Sequence, residues 1–264
     1  MEKNKVILYS SVNESYMPFA RVFLASLRLT NKNFPVILYG LNLKDESIEE
    51  LQSFSGVEVF NEQKEITDLD VNFSTWDKTK PKITNKYVAS YIVCKRFFHL
   101  KDIMNNHHEY KIIVSIDVDS IFRAPGLQRH FLDFMEGSDV AIYDRGKRYE
   151  AKSLDRRIVC MQLIFQNNTK SRKFLSRTCK RMQQIGFAWK IDQRAFLDTL
   201  KNSNKLKIAN LEQAKHICDY FLTDDSLIWM GKGKIVRGKP KYKEAFRRYL
   251  ACYKQMLNEK VKGK

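Results

Sequence analysis

Two carboxylates flank a single valine at the end of a strongly apolar run, Ile112-Ile113-Val114-Ser115-Ile116-Asp117-Val118-Asp119-Ser120-Ile121-Phe122. In an open α/β sheet, ligands bind outside the carboxyl ends of the strands. Alternation in an ideal strand would put residues 117 and 119 on one face, so that both carboxylates converge. Two hard oxygen donors suit Mg²⁺ or Mn²⁺, which take octahedral oxygen sites and share them with substrate phosphates. An exposed Asp-x-Asp turn is the plain alternative, and the apolar residues on both sides favour the metal reading. A second candidate is Gly231-Lys232-Gly233-Lys234, where glycines let the backbone approach a phosphate while Lys232 and Lys234 supply positive donors. A flexible surface loop is an equal alternative there. His107-His108 reads as a polar loop, Cys160-Met161 as core packing and Asp224-Asp225 as a helix or loop cap. The sequence contains no G-x-S-x-G, H-E-x-x-H or G-x-x-x-x-G-K-[ST] pattern, which leaves serine hydrolase, zincin and P-loop chemistries without support.

The elements that must position these residues follow an alternating pattern. Val6 to Tyr9, Val36 to Tyr39 and Val57 to Phe60 are short apolar strands, separated by helical periodicity over Phe19 to Leu29 and Ser47 to Phe54. This β-α-β-α-β start is that of an open, mostly parallel sheet. Glu62 to Thr79 reads as a loop and Asn85 to Met104 as a long helix before the Asp-x-Asp strand. Beyond it come a helix over Leu127 to Met135, strands at Val140 to Tyr143 and Val159 to Phe165, and helices over Ser171 to Ile185 and Gln193 to Leu200. A last apolar run, Ser226 to Met230, precedes a closing helix over Lys241 to Leu257.

In this order the chain resembles the GT-A glycosyltransferases, whose nucleotide-sugar signature is an apolar strand ending in Asp-x-Asp, and among them the retaining, family 8-like branch. Val6 to Tyr16 resembles the branch's first strand and nucleotide-binding loop, which implies donor contacts at Tyr9, Ser10 and Tyr16. Pro81-Lys82 and the helix through Tyr91 resemble the segment that brings a basic residue to the donor, here Lys86. Met161 to Thr169 resembles the acceptor-side strand, with Gln162 where the family often has Asn. Trp189 to Gln193 resembles the element near the reacting sugar, which implies catalytic roles for Asp192 and Gln193. Ile228 to Gly233 resembles the late segment that closes over the pyrophosphate, with Lys232 and Lys234 as donor contacts. The resemblance implies that Asp117 and Asp119 hold Mn²⁺ or Mg²⁺ and that Asp117 also meets the ribose. It departs from the family at Met230, which stands where a histidine ligand is usual, because a thioether is a poor partner for a hard cation. The fold implied is an α/β, GT-A (Rossmann-like), mostly parallel central sheet flanked by helices over residues 1–235. A basic helical extension follows over 236–264.

Composition sets the partners. The 264 residues are 44% hydrophobic, enough for one sizeable core, and carry a formal net charge of +17, a field that attracts polyanions and phosphorylated small molecules. From Gly231 onward twelve Lys or Arg stand against Glu244 and Glu259, so the tail holds +10 of that total. The five cysteines form no C-x-x-C pair and fit reduced, buried thiols in a cytosol. With no apolar stretch near the ~20 residues of a membrane span, the expectation is a cytoplasmic protein, peripheral on an inner membrane face if the basic amphipathic tail meets anionic lipid. Three functions are consistent with this. One is transfer of a sugar from a UDP-sugar or related donor to a glycan or glycolipid. Another is transfer to a hydroxymethylated base in phage-type DNA, with basic bands on the phosphates. The third is an inactive sugar- or nucleic-acid-binding module of the same fold.

Overall fold

The computed structural model describes residues 5–65, 82–146, 157–214, 216–231 and 233–262, with side chains at all of these except 82–86 and 260–262. The strands form a mostly parallel seven-stranded sheet of order β3-β2-β1-β4-β7-β6-β8, flanked by helices, and a three-stranded sheet of order β5-β10-β9. The chain divides into two compact units. One comprises Met1–Asn61, Ile116–Phe134 and Gln213–Lys264; the other comprises Glu62–Ser115 and Met135–Glu212.

The first unit opens with β1 (Val6–Asn13), α1 (Met17–Thr30), β2 (Val36–Leu41), α2 (Asp45–Gln52) and β3 (Val57–Glu62). The apolar run of the sequence ends at Tyr9, yet β1 runs on to Asn13. Its parallel register with β2 continues through Ser11↔Tyr39 and Asn13↔Leu41, so ladder pairing overrides side-chain polarity. The Asn13 side chain then accepts from Tyr16 N (3.2 Å), and Pro18 sits in the first turn of α1, where its missing N–H costs no helical bond. Further on come β5 (Ser120–Phe122) and α4 (Leu127–Phe134), then β9 (Cys218–Asp219), β10 (Ile228–Met230), α7 (Gly233–Gly238) and α8 (Pro240–Lys262). β10 pairs antiparallel with β5 and parallel with β9. Helix α1 seals both its neighbours: Phe23 meets Phe122 edge-on at 4.9 Å and Phe19 meets Phe246 of α8 at 5.2 Å. Tyr253 of α8 stacks on Phe54 at 5.0 Å, so the basic C-terminal helix has an aromatic face built into this unit.

The second unit holds α3 (Lys82–Asn106), β4 (Ile112–Ile116, whose last residue belongs to the first unit), β6 (Val140–Asp144), β7 (Ile158–Gln166), α5 (Thr169–Ile185), α6 (Ile191–Lys201) and β8 (Ile208–Asn210). β7 is buried almost throughout and pairs antiparallel with β6, which pairs parallel with β8. Asn168 caps α5 by accepting from Ser171 N (2.9 Å), and Gly186 ends that helix at φ 84°, a conformation that glycine takes without strain. Phe196 of α6 packs edge-on against Phe174 of α5 (4.9 Å) and against Phe97 of α3 (5.9 Å). All five cysteines are free, four of them buried. Among the described residues no helix is long and apolar enough to cross a membrane.

Candidate active site

β4 stops at Ile116, and Asp117, Val118 and Asp119 form a turn rather than two more strand residues. The turn is closed by Ser120 N donating to Asp117 O (3.1 Å), after which the chain enters β5. The strand alternation expected for the two carboxylates therefore does not apply, because turn geometry sets their directions. The turn is anchored from behind by Ser10, whose hydroxyl donates to Ile116 O at 2.7 Å, so this buried serine acts on the acidic turn through the backbone. Asp117 is half-buried and near enough to Cys218 to help raise that thiol, which burial pushes well up and Asp219 raises further.

Asp119 is only 9% exposed. Its carbonyl oxygen accepts from Gly231 N (3.1 Å) and from the Tyr242 hydroxyl. The approach at Gly231 is so close that an added Cβ would lie 2.6 Å from Asp119 O and 2.6 Å from the Tyr242 hydroxyl. Glycine is required here for space. Burial pushes the Tyr242 phenol up, the Asp119 charge adds to this and Arg237 opposes it, so the phenol stays protonated and donates. The Asp119 carboxylate lies 3.7 Å from Arg237 Nε. That guanidinium also sits 5.6 Å over the Tyr16 ring and 5.0 Å over Phe19, a cation held against two aromatic faces. Phe19, Arg237, Tyr242, Lys243, Phe246 and Arg247 line a cleft of about 180 Å³.

Arg237 is the functional candidate that the sequence hid. It falls in the run of tail cations, and the one local signal is its place one turn after Gly233, to whose carbonyl its Nε reaches at 3.4 Å. Asp219 was equally hidden, and its role is different. Its carboxylate accepts from the backbone of Phe221, Leu222 (2.7 Å) and Thr223 (3.2 Å) and from the hydroxyls of Thr223 and Ser226. Burial would raise its pKa, but these hydrogen bonds hold it below the usual carboxylate range. They lock the loop before β10, where Leu222 takes φ 68°. Asp224 belongs to the same loop and pairs with Lys241 (2.6 Å).

The other expected residues are scattered in role. Tyr9 is buried in β1 with its hydroxyl 2.6 Å from Ser11 Oγ, while Tyr16 is partly exposed and meets Arg237. Lys234 is exposed on α7; Lys232 and the Lys86 side chain lie outside the described residues. Asp192 (4% exposed) and the half-buried Gln193 occupy the first turn of α6 in the second unit, after Lys190 at φ 69°. Met230 is buried in β10, opposite Ser120.

Hard carboxylate oxygens at Asp117 and Asp119 fit Mg²⁺ or Mn²⁺ chemically. Among the described residues, no group of three or more His, Cys, Asp or Glu could hold a metal ion. Two carboxylates alone would leave most positions of an octahedral cation to phosphate oxygens or water.

With this geometry in hand, likeness to solved structures fixes the fold. The galactosyltransferase LgtC, solved with donor and acceptor sugar analogues, matches with a TM-score of 0.59 at 9% identity over 94% of this chain and 95% of its own. The bifunctional glycosyltransferase WbbM matches with a TM-score of 0.55 at 11% identity, over 93% of this chain and 52% of its own. The glycosyltransferase GlyE of Streptococcus pneumoniae TIGR4 matches with 0.54 at 13%, over 98% and 64%. The chain has the GT-A glycosyltransferase fold. It spans about half the length of WbbM and under two thirds of GlyE. No family model matches the sequence, and no curated protein matches it.

Proposed function

We propose that this chain transfers a sugar from a nucleoside-diphosphate donor, a UDP-sugar, to a glycan or glycolipid acceptor, with Mn²⁺ or Mg²⁺ held by Asp119 and Asp117. The observation that carries the reading is the fixing of Asp119. Gly231 and Tyr242 immobilise its backbone while its carboxylate is directed at Arg237, on a fold shared with a galactosyltransferase that binds donor and acceptor sugar analogues.

In this reading each residue has a physical task. Tyr242 and Gly231 hold the Asp119 carbonyl, so the acid cannot recoil when a diphosphate arrives. Arg237, seated on Tyr16 and Phe19, offers a planar fork of donors to phosphate oxygens. Tyr16, partly exposed, presents a ring to the nucleotide base. The resemblance would add Lys232, Lys234 and Lys86 as donor contacts and Asp192 and Gln193 as catalytic residues, with retention of configuration. The bound cation supplies Lewis-acid neutralisation of the leaving diphosphate.

A panel of nucleotide-sugars with Mn²⁺, scored for release of nucleoside diphosphate, tests the reading. One UDP-sugar is expected to turn over, and Asp119→Ala to abolish this in a folded protein. Unchanged release in that variant, or in excess EDTA, overturns the metal assignment.

A further inference from the structure

α5 carries six basic residues and no acid, and four of them, Lys170, Lys173, Arg177 and Lys180, are exposed. Their spacing of three and four residues places their Cβ atoms about 5–6 Å apart in succession along one side of the helix. α6 follows after residues 186–190 and packs on α5 through Phe174 and Phe196. Beside that seam a trough of about 650 Å³ opens, and its cations are Arg177, Lys180, Arg181 and Lys201. Its one acid is Asp198, whose Oδ2 accepts from both Nε (3.1 Å) and Nη2 (3.0 Å) of Arg181. That pair is mutually neutralised, and Arg177 and Lys180 make no ion pair among the described residues. Through Arg177 and Lys180 the trough therefore carries positive charge that no described residue pairs.

Its remaining lining limits what can enter. Among the described residues no aromatic ring lines it, so nothing is offered for nucleobases to stack on, the usual grip on single-stranded nucleic acid. No large apolar side chain lines it either, so it lacks the apolar face with which a membrane-surface helix enters lipid. The neutral lining residues are Gln184, Thr199 and Asn202, and the amides of Gln184 and Asn202 donate and accept hydrogen bonds, as sugar hydroxyls require. We propose that the α5–α6 trough binds an acidic glycan, a sugar chain bearing phosphate, sulfate or carboxylate groups, and so selects an anionic acceptor. The acceptor role rests on the transfer reading above; the binding does not.

The test titrates the full chain with a heparin octasaccharide by calorimetry at 50 and 200 mM NaCl, comparing two charge-matched double variants. Arg177→Glu/Lys180→Glu removes the trough cations, and Lys44→Glu/Lys254→Glu removes two exposed lysines of the first unit. Glycan affinity is expected to fall more than tenfold in the first and less than twofold in the second, and to weaken with salt in the wild type. Equal losses in both would show that binding follows net charge alone and overturn the proposal. So would tighter, trough-dependent binding of a 24-base-pair DNA duplex or of phosphatidylglycerol vesicles. If the glutamate pair fails to fold, Arg177→Gln/Lys180→Gln, expected to cost at least threefold, carries the same decision. UDP titrated with Mn²⁺ on the same preparations separates the two readings. Absent UDP binding sinks the donor assignment and leaves the glycan result standing, whereas UDP binding without glycan binding sinks only the trough.

Discussion

Asp119 and Asp219 lie in the same unit and are both buried, and the chain treats them in opposite ways. Asp219, 1% exposed, gives its carboxylate to its own loop, where three backbone amides and two hydroxyls converge on it. At Asp119 it is the main-chain carbonyl that is clamped, by Gly231 and Tyr242, while the carboxylate faces a guanidinium at 3.7 Å. A carboxylate surrounded by short-range backbone donors is a folding device. One whose backbone is held rigid by distant elements, with its charge directed at a cation on a cleft, suits the ligand role proposed above. Burial alone does not separate the two; the destination of the oxygen atoms does.

That contrast can be broken by mutation. The largest effect is expected from Asp119→Ala. Donor turnover should fall by about 10³-fold or more, with stability within about 1 kcal/mol of wild type in urea titration. Asp219→Ala should do the reverse. The loop's amides and hydroxyls lose their acceptor, stability falls by about 3 kcal/mol, and Tm drops by roughly 6–12 °C. Asp219 also predicts a pH signature. Its folded pKa is depressed, so its contribution is full above the unfolded value of about 3.9 and is lost as pH falls through the folded value. Acid unfolding below about pH 4 should therefore be steeper in wild type than in Asp219→Ala. If Asp119→Ala proves the more destabilising of the two, the distinction between the sites fails.

Smaller changes sharpen the comparison. Gly231→Ala forces a Cβ against Asp119 O, and the required shift should cost about 1–3 kcal/mol in stability. Displacing the acid should also cut turnover by about 10²-fold. Tyr242→Phe removes one hydrogen bond to the Asp119 carbonyl. A loss of about 1 kcal/mol is expected, read as an about fivefold weaker Kd for UDP with Mn²⁺.

Much of the architecture was legible because apolar runs and helical periodicity are local signals. The strands around Val6, Val36, Ile112 and Val140 and helices α1, α3, α5, α6 and α8 all lie where the pattern puts them, within a few residues at their ends. The short strands β5, β8 and β9 were not legible, since two or three residues have no period and exist as strands only through their partners. The site shows the same division. Asp-x-Asp at a strand end is a local signal, but its clamp is not: Tyr242 is 123 residues from Asp119 and reads in the sequence as one aromatic of a basic amphipathic helix. Arg237 was obscured by its neighbours, because among so many cations no local feature distinguishes the one beside a carboxylate. Asp219 follows a cysteine in a two-residue strand, and only the folded loop reveals the hydroxyls and amides that it gathers.

The distance in sequence between Asp119 and Tyr242 also has a temporal meaning. During synthesis at about 5–20 residues per second, the acidic turn leaves the ribosome on the order of 6–25 s before the phenol that grips it. For that interval the nascent chain holds Asp117 and Asp119 with the backbone clamp still unmade, and the Asp119 carbonyl gains its phenol donor only when α8 docks.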